Sequence, residues 1–409
     1  SNINTKVSRD IDKINKLGHK IHELNQQISK IEAGGIETAM DLRDERDLAL
    51  DQLGALAKIS YKEDYKGVVT VKLEDEYFVD ELHTYEIGKK TDKLTGFITP
   101  YWPQLSDTDR DIYVNVFDFN VDISTALNSD VGELKALIMS RGDHWADYSD
   151  IEGKGEQEYL DTTNLSVIID MQAKLDQMVH NMITAINDQL CPNVTGPVGV
   201  TYQDANGNTV NLSDAKVLDT ENCARGSDGE LPPRELFVRA GIGRYTEVTG
   251  NDGKTYYVYN EEDTSDTSYM YSLTSCGVNE DLKKIETLFP HLKQNGEVDQ
   301  QLGERLEALW NKDLVGLDPT DPDECNIEEY YQKMIGGLAT VGNVYQKKAE
   351  NLAGSVLTIE NNRQQVIGVS SDEELQNMIK FQNAYNASSR FMTVISDMIE
   401  HIVTRLGNG

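Results

Sequence analysis

No stretch of these 409 residues approaches the roughly 18 consecutive apolar residues that a membrane-spanning helix needs, so no segment reads as crossing a bilayer. Positive charge is scarce. Lys and Arg number 38 against 70 Asp and Glu, a formal charge of −32, and such a surface repels nucleic acid and anionic membrane at long range. No N-terminal segment has the charged, apolar and small-residue parts of a signal peptide. The chain opens on Ser1-Asn2 without Met and enters helical periodicity at once, which points to natural residues missing ahead of it. Hydrophobic residues make up 38%, enough for real cores but low for a compact enzyme. The length suggests two or three domains.

Cysteine is sparse as well. Cys191, Cys223, Cys276 and Cys325 lie in one middle stretch, and no two have the spacing of a zinc-binding pair. Unpaired thiols and one or two disulfides both fit, so cysteine usage leaves the compartment open.

Catalytic patterns are incomplete wherever they begin. His19 and His22 have a metal-compatible helical spacing, but His22-Glu23-Leu24-Asn25-Gln26 lacks the second His of a zinc protease motif, and a solvated helix face accounts for them. Asp204, Asn206 and Asn208 start like a calcium loop. Thr209 stands where the Gly is required and Ala215 where the bidentate Glu belongs, which leaves a hairpin turn. Gly241-Ile242-Gly243 lacks the third glycine and the βαβ setting of a nucleotide site. No Gly-x-Ser-x-Gly elbow occurs. The expectation is no catalytic residue, no metal ligand and no cofactor.

What is present is helical periodicity at both ends. Over residues 3–33, Val7, Ile14, Ile21 and Ile28 recur every seven, and Leu17, Leu24 and Ile31 follow three after the last three of them. That is a coiled-coil seam, closed by Gly34-Gly35. Residues 38–58 form a second amphipathic helix with Leu42, Ala49, Leu53 and Leu56 on one face, and the short link makes an antiparallel hairpin. Arg43 and Arg46, set among Asp41, Asp44 and Asp47, suggest an ion-pair network that fixes this hairpin, since surface pairs alone contribute little.

The period then changes. Residues 68–73, 77–79 and 111–117 are β-branched and aromatic, as in strands, helices follow near 130–140 and 164–190, and Ile168, Leu175, Met178, Met182, Ile186 and Leu190 mark one face of the second. Residues 191–280 are irregular, with hairpin dipeptides at Asn206-Gly207 and Asp252-Gly253, and short helices near 280–288 and 298–311. From Asn326 the chain is helical again. Tyr331, Leu338, Tyr345, Leu352, Ile359 and Val366 repeat every seven, while the matching d positions turn polar at Lys348, Ser355 and Asn362. Ser371 and Glu374 have capping-box spacing. The last helix carries Met378, Tyr385, Met392, Ile399 and Leu406 at one position, with Phe381, Ser388, Ile395 and Ile402 at the other.

Helices bracket the chain and strands fill its middle. The expected fold is α+β and multidomain, an elongated helical bundle or coiled coil built from both chain ends with β-rich domains inserted between them. Its parts are residues 1–58 plus 323–409, a β-rich domain at 59–190, and an insertion at 191–322. Ile14, Leu17, Ile21, Leu24 and Ile28 are expected to pack against Leu338, Tyr345 and Leu352, each buried Leu or Ile contributing roughly 1.5–3 kcal/mol. The last-helix seam has no obvious unused partner in the chain. It folds back on the bundle, pairs with another chain, or meets residues that precede Ser1.

The run Asp41-Leu42-Arg43-Asp44-Glu45-Arg46-Asp47, after a coiled-coil helix ending in Gly-Gly, resembles the flagellar hook-associated protein 1 family, the first hook–filament junction proteins of bacteria. The C-terminal stretch resembles axial flagellar proteins more broadly, through Gly368-Val369-Ser370, Asp372 to Gln382, and Ala384-Tyr385-Asn386-Ala387-Ser388-Ser389. Gly132 to Leu137 is similar to the family's middle region. The match spans residues 3–58 and 325–406, and leaves 191–322 as a variable, outward-facing insertion.

The resemblance implies a structural protein of the bacterial flagellum, outside the cell and exported without a cleaved signal peptide. It implies assembly through a seam of Met378, Phe381, Tyr385, Met392, Ile395, Ile399 and Ile402. Its implied partners are copies of itself in a ring, the hook protein, the second hook–filament junction protein, and an export chaperone at the C-terminal helix. A hook- or flagellin-type axial protein is the alternative within the class. A ligand-binding or enzymatic insertion at 191–322 is the alternative outside it.

Overall fold

A computed structural model describes residues 2–34, 38–118, 131–205, 207–367 and 375–393, except 377, 387 and 391. It divides into two units, residues 1–338 and 339–409.

The first unit opens with a helical hairpin, α1 (Asn2–Glu32) and α2 (Met40–Leu56). Val7, Ile11, Ile14, Leu17, Ile21, Leu24 and Ile28 of α1 are buried, as are Arg46, Ala49, Leu50, Leu53 and Leu56 of α2. Both sets recur at three- and four-residue steps, so each helix turns a single face inward. Against this hairpin lies an antiparallel sheet of β1 (Ile59–Glu63), β2 (Val69–Leu73) and β3 (Glu76–Val79). β2 alternates strictly, with Val69, Val71 and Leu73 buried. Glu74 and Asp75 turn β2 into β3 with φ of 48° and 68°, as a two-residue hairpin turn requires. A second hairpin, β4 (Gly88–Thr91) and β5 (Ile98–Tyr101), and helix α3 (Glu133–Arg141) complete the layer.

One core joins these elements. Val7, Ile11, Ile14, Leu17 and Ile21 share it with Leu50, Leu53, Val71, Phe78, Trp102, Phe117, Leu134 and Ile138. Leu24 and Ile28 close over Ala39 and Leu42. The cover expected from residues 323–367 is thus supplied within the first unit by α2, α3 and the strands. The sequence pattern shows that α1 needs a cover, but two nearby sheets and a hairpin partner reach it at a lower cost in ordered chain.

Residues 111–117 are not a strand. They make isolated bridges at Tyr101–Asn115 and Asp107–Ile112. Asp111 is left-handed (φ 57°), and Pro100 on the neighbouring β5 accepts from Val116 N at 3.1 Å but has no N–H to return. The segment still delivers Val116 and Phe117 to the core.

Glycine is required at both ends of α3. Gly132 has φ 101° and a Cβ there would lie 2.7 Å from Ala57 Cα; Gly142 has φ 78° and a Cβ would lie 2.2 Å from Ile169 Cδ1.

Helix α4 (Glu156–Asp161) leads into α5 (Val167–Leu190), whose Ser166 cap accepts from Ile169 N at 3.3 Å. The buried face of α5 is not the Leu175–Met178–Met182 stripe. It is Ile169, Ala173, Lys174, Asp176, Gln177, His180, Ile183, Asn187 and Leu190. Its polar members bind loops. Asp176 accepts from Tyr148 N at 2.9 Å and from Leu273 N at 2.6 Å. Asn187 accepts from Leu236 N (3.1 Å) and Phe237 N (3.2 Å) and donates to Phe237 O (2.9 Å). Periodicity alone marks apolar residues, and so misses a helix whose buried side serves as a hydrogen-bonding spine.

Around α5 lie β6 (Asn193–Thr195), β7 (Thr201–Gln203), β8 (Thr209–Asn211), β9 (Lys216–Leu218), β10 (Phe237–Arg239), β11 (Tyr245–Thr249), β12 (Thr255–Tyr259) and β13 (Cys276–Val278). They form a four-stranded sheet, β11-β12-β9-β6, and the pairs β7-β8 and β10-β13. Helices α6 (Glu280–Lys284) and α7 (Gln300–Ala308) follow, then α8 (Ile327–Ile367) of 41 residues. Asn326 caps α8, accepting from Glu329 N at 3.0 Å. The four cysteines are free thiols, and all but Cys276 are buried.

Ile21→Ala should lower the stability of the first unit by about 2–5 kcal/mol, because the site is fully enclosed. Leu48→Ala, on the exposed side of α2, should change it by less than about 0.5 kcal/mol. Urea unfolding followed by circular dichroism checks both, and equal effects would refute the packing described.

Candidate assembly surface

The root of α8 is fixed to α5. Tyr330 and Met334 are buried beside Leu317 and Cys325, with Met171, Met178 and Val315 against them. The Tyr330 hydroxyl lies 2.9 Å from both Lys174 O and Gln177 Oε1, with one proton to share between these acceptors. Lys174 Nζ sits 2.9 Å from Asp170 and 2.9 Å from Asp318, and Lys333 reaches Asp321 at 3.0 Å. The ion pairs around Lys174 are mostly buried, so they position the root more than they stabilise it.

Beyond the root the same stripe lies open. Met334 is 4% exposed, Leu338 38%, Leu352 66% and Ile359 66%. Val341, Tyr345 and Val356 are exposed with them. At 100° per residue, Met334, Leu338, Val341, Tyr345, Leu352, Val356 and Ile359 fall within an arc of about 60°. They form one apolar line, covered where it starts and bare where it continues. Leu338, Tyr345 and Leu352 belong to it, as does Val356, which a strict seven-residue count misses. A period near 3.6 rather than 3.5 is the signal that finds it.

The last seam is exposed where it is described. Met378, Phe381, Tyr385 and Met392 are all open, with Leu375 and Ile379 beside them. Ile395, Ile399 and Ile402, and the cap pair Ser371 and Glu374, lie outside the described residues.

The arginines of α2 find their partners outside the run from Asp41 to Asp47. Arg43 forks onto Glu32, Nε to Oε1 at 2.7 Å and Nη2 to Oε2 at 2.6 Å, and gives Nη1 to Glu63 at 2.6 Å. Arg46 is buried. Its Nη1 donates to Gly67 O at 2.6 Å and Asn25 Oδ1 at 3.2 Å. Asn25 in turn bridges to the backbone of Val69, donating at 2.8 Å and accepting at 3.0 Å. The two arginines therefore lock α1, α2 and the β1–β2 turn together. Asp41, Asp44 and Asp47 are exposed, and the carboxylates of the network are Glu32 and Glu63. Those glutamates lie 11 and 20 residues from Arg43, too far for any helical spacing to announce.

The fragments of catalytic motifs are dispersed. His19 pairs with Glu86 at 2.6 Å, while His22 meets Asp80 O at 3.3 Å and Gln26 at 2.9 Å. Asp204 accepts from Asn208 N at 2.7 Å and closes the β7–β8 turn. Among the described residues no group of three or more His, Cys, Asp and Glu could hold a metal ion, and no helix is long and apolar enough to cross a membrane.

Residues 1–201 match the family model described as the helical domain of flagellar hook-associated protein FlgK. Residues 364–405 match the model described as the C-terminal region of the flagellar basal body rod FlgEFG proteins. Flagellar hook-associated protein 1 of Bacillus subtilis (strain 168) is 23% identical over 429 residues, covering 100% of this chain and 67% of its own length. The solved flagellar hook junction protein FlgK from Burkholderia pseudomallei is similar at a TM-score of 0.36 and 14% identity, over 71% of this chain and 51% of that one. This chain thus spans about half the length of that solved relative. The two family models and the Bacillus relative place it in the class of axial proteins of the bacterial flagellum. Within that class the helical-domain match over residues 1–201 and the Bacillus match over the whole of this chain both support the flagellar hook-associated protein 1 family.

The Arg43 fork and the Ala39 N–H hold the Glu32 carboxyl well below its ordinary value of 4.5, at about 2. A carboxyl whose pKa falls on folding favours the folded state above its unfolded value and loses that contribution as the pH drops through the folded one. Acidification from about pH 4.5 to 2 should loosen the α1–α2 hairpin, and Glu32→Gln should remove this step. Amide exchange over residues 25–46 reports it. Identical acid profiles for the two proteins would refute the assignment.

Proposed function

We propose that this chain is a non-enzymatic structural component of the flagellum that joins hook to filament, and that it assembles through its C-terminal amphipathic helices. The observation that carries this reading is the bare continuation of the α8 stripe from Leu338 to Ile359. At about 1.5 Å per residue it runs some 30 Å, more apolar line than a monomer leaves uncovered without a partner. The exposed Met378, Phe381, Tyr385 and Met392 offer a second strip of the same kind.

The occupants are neighbouring subunits. Copies of this chain arranged in a ring would cover the α8 stripe laterally, with the hook protein on one side and the second hook–filament junction protein on the other. The last-helix seam, with Ile395, Ile399 and Ile402 continuing it in sequence, is also where an export chaperone would shield the chain before assembly. Residues 323–409 then form the assembly layer, 59–190 the β-rich body and 191–322 the outward insertion. Location outside the cell, reached without a cleaved signal peptide, fits this role. The charge of −32 fits it too, since a protein shell in water needs neither nucleic acid nor membrane.

In the full-length protein, Leu352→Asp with Ile359→Asp should abolish filament growth and swimming while the purified chain keeps its helix content. Ile395→Asp with Ile399→Asp should do the same through the last helix. Motility assays and circular dichroism decide it. Normal swimming by both double variants would overturn the proposal.

A further inference from the structure

The insertion contains a cleft of about 680 Å³ that assembly through the C-terminal helices leaves unused. The end of α5, the turn at 221–223, the turn at 293–295 and the start of α7 enclose it. Its lining is rich in carboxamides, from Gln189, Asn222, Gln294, Asn295 and Gln301.

Asp299 is out of place there. It stands at the N-cap of α7, yet its side chain makes no capping bond. Its Oδ2 accepts from Arg305 Nη2 at 3.2 Å, and its Oδ1 is buried with no hydrogen-bond partner. The side chain is only 10% exposed. A buried carboxylate oxygen without a donor is costly, and a donor brought into the cleft removes that cost. Asp188, by contrast, is already engaged by the buried Arg244.

The chemistry of the occupant follows by comparison. An anion would meet Asp188, Glu221 and Asp299. A metal ion lacks a cluster of ligands, and Lys293 and Arg305 oppose it. An apolar molecule would find little beyond Pro192 and Cys223. A neutral polyhydroxyl molecule suits every group: each hydroxyl can donate to Asp299 while accepting from a carboxamide, Lys293 or Arg305. The volume is that of a small-molecule site.

We propose that this cleft binds a short neutral oligosaccharide, with Asp299 Oδ1 accepting a hydroxyl and the carboxamides of Asn222, Asn295 and Gln301 pairing with its neighbours. A small turn of the Asp299 carboxylate presents Oδ1 to the ligand, and Arg305 keeps hold of Oδ2. Binding involves no covalent step. It places a carbohydrate contact on the insertion, apart from the assembly helices, and does not depend on them.

The test is saturation-transfer NMR on the full chain with maltotetraose, cellotetraose and chitotetraose as probes. At least one should bind saturably, and Asp299→Asn should weaken it about tenfold or more, the loss expected for one hydrogen bond to a charged group. Asn222→Ala, distant in sequence from α7, provides a second variant should Asp299→Asn unfold; it too should weaken binding. Silence from all three probes overturns the proposal. So does binding that both folded variants leave unchanged, or displacement of the sugar by magnesium chloride alone at constant ionic strength.

Discussion

An amphipathic helix must place its apolar face against something, and in this chain α1 and α8 meet that demand in opposite ways. α1 buries seven aliphatic residues inside residues 1–338, a gain of roughly 10–20 kcal/mol as an upper bound. α8 buries Tyr330 and Met334 and then leaves its line open. Covering Leu338, Tyr345, Leu352, Val356 and Ile359, which are partly buried already, would release roughly half as much. Association costs about 4–15 kcal/mol in lost freedom, so one such stripe is barely enough to hold two free subunits together. A ring changes the balance, because each subunit then has two neighbours and the second contact is made at high effective concentration. The open stripe therefore suits a protein that persists as a monomer until a template gathers it.

The middle of the molecule solves a different problem. In a chain with 38% hydrophobic residues overall, the middle has several small cores in place of one large one. α5 ties them together with polar side chains: Asp176 holds the loops at 148 and 273, Asn187 holds 236–237, and Gln177 holds Tyr330. Each of these acceptors or donors is buried and satisfied, which fixes the loops in place as firmly as packing would. Burial pushes the Glu235 carboxyl up to about 7 even with Tyr271, Arg244 and Arg239 close by, a measure of how dry this interior is. The strongly acidic composition thus has a structural use, since carboxylates accept from the backbone N–H groups that irregular segments leave unpaired.

Helix positions were legible in the sequence because repeated apolar spacing is a local property. The first hairpin, α3, α5 and α8 all lie where periodicity puts them. The turn at Asp252-Gly253 followed from dipeptide chemistry alone; of Asn206-Gly207, Asn206 lies outside the described residues. What spacing could not tell was which surface covers which. Ile21 needed a cover, and the pattern equally suited a distant helix or the adjacent sheet. Arg43 and Arg46 announced a network, but their partners Glu32, Glu63 and Gly67 come from three different segments. The inward face of α5 was hidden for the same reason. A buried Asp or Asn looks polar in sequence, and only its partners reveal that it is inside. Asp299 was equally hidden, since an Asp before a helix suggests a cap and only geometry shows that it makes none.

The register of α8 bears on how it can be covered. A strict seven-residue repeat forces a left-handed supercoil, because 3.5 residues per turn falls short of 3.6. On α8 the d positions turn polar at Lys348, Ser355 and Asn362, while Tyr345 and Val356 sit eleven and twenty-two residues after Met334. That spacing is close to 3.67 per turn, the period of a straight or slightly right-handed line. A partner helix can then lie along α8 without wrapping around it. Straight helices can stack side by side without limit, whereas a supercoiled pair closes on itself. The polar residues that seemed to interrupt the seam are, on this geometry, what keeps the stripe straight.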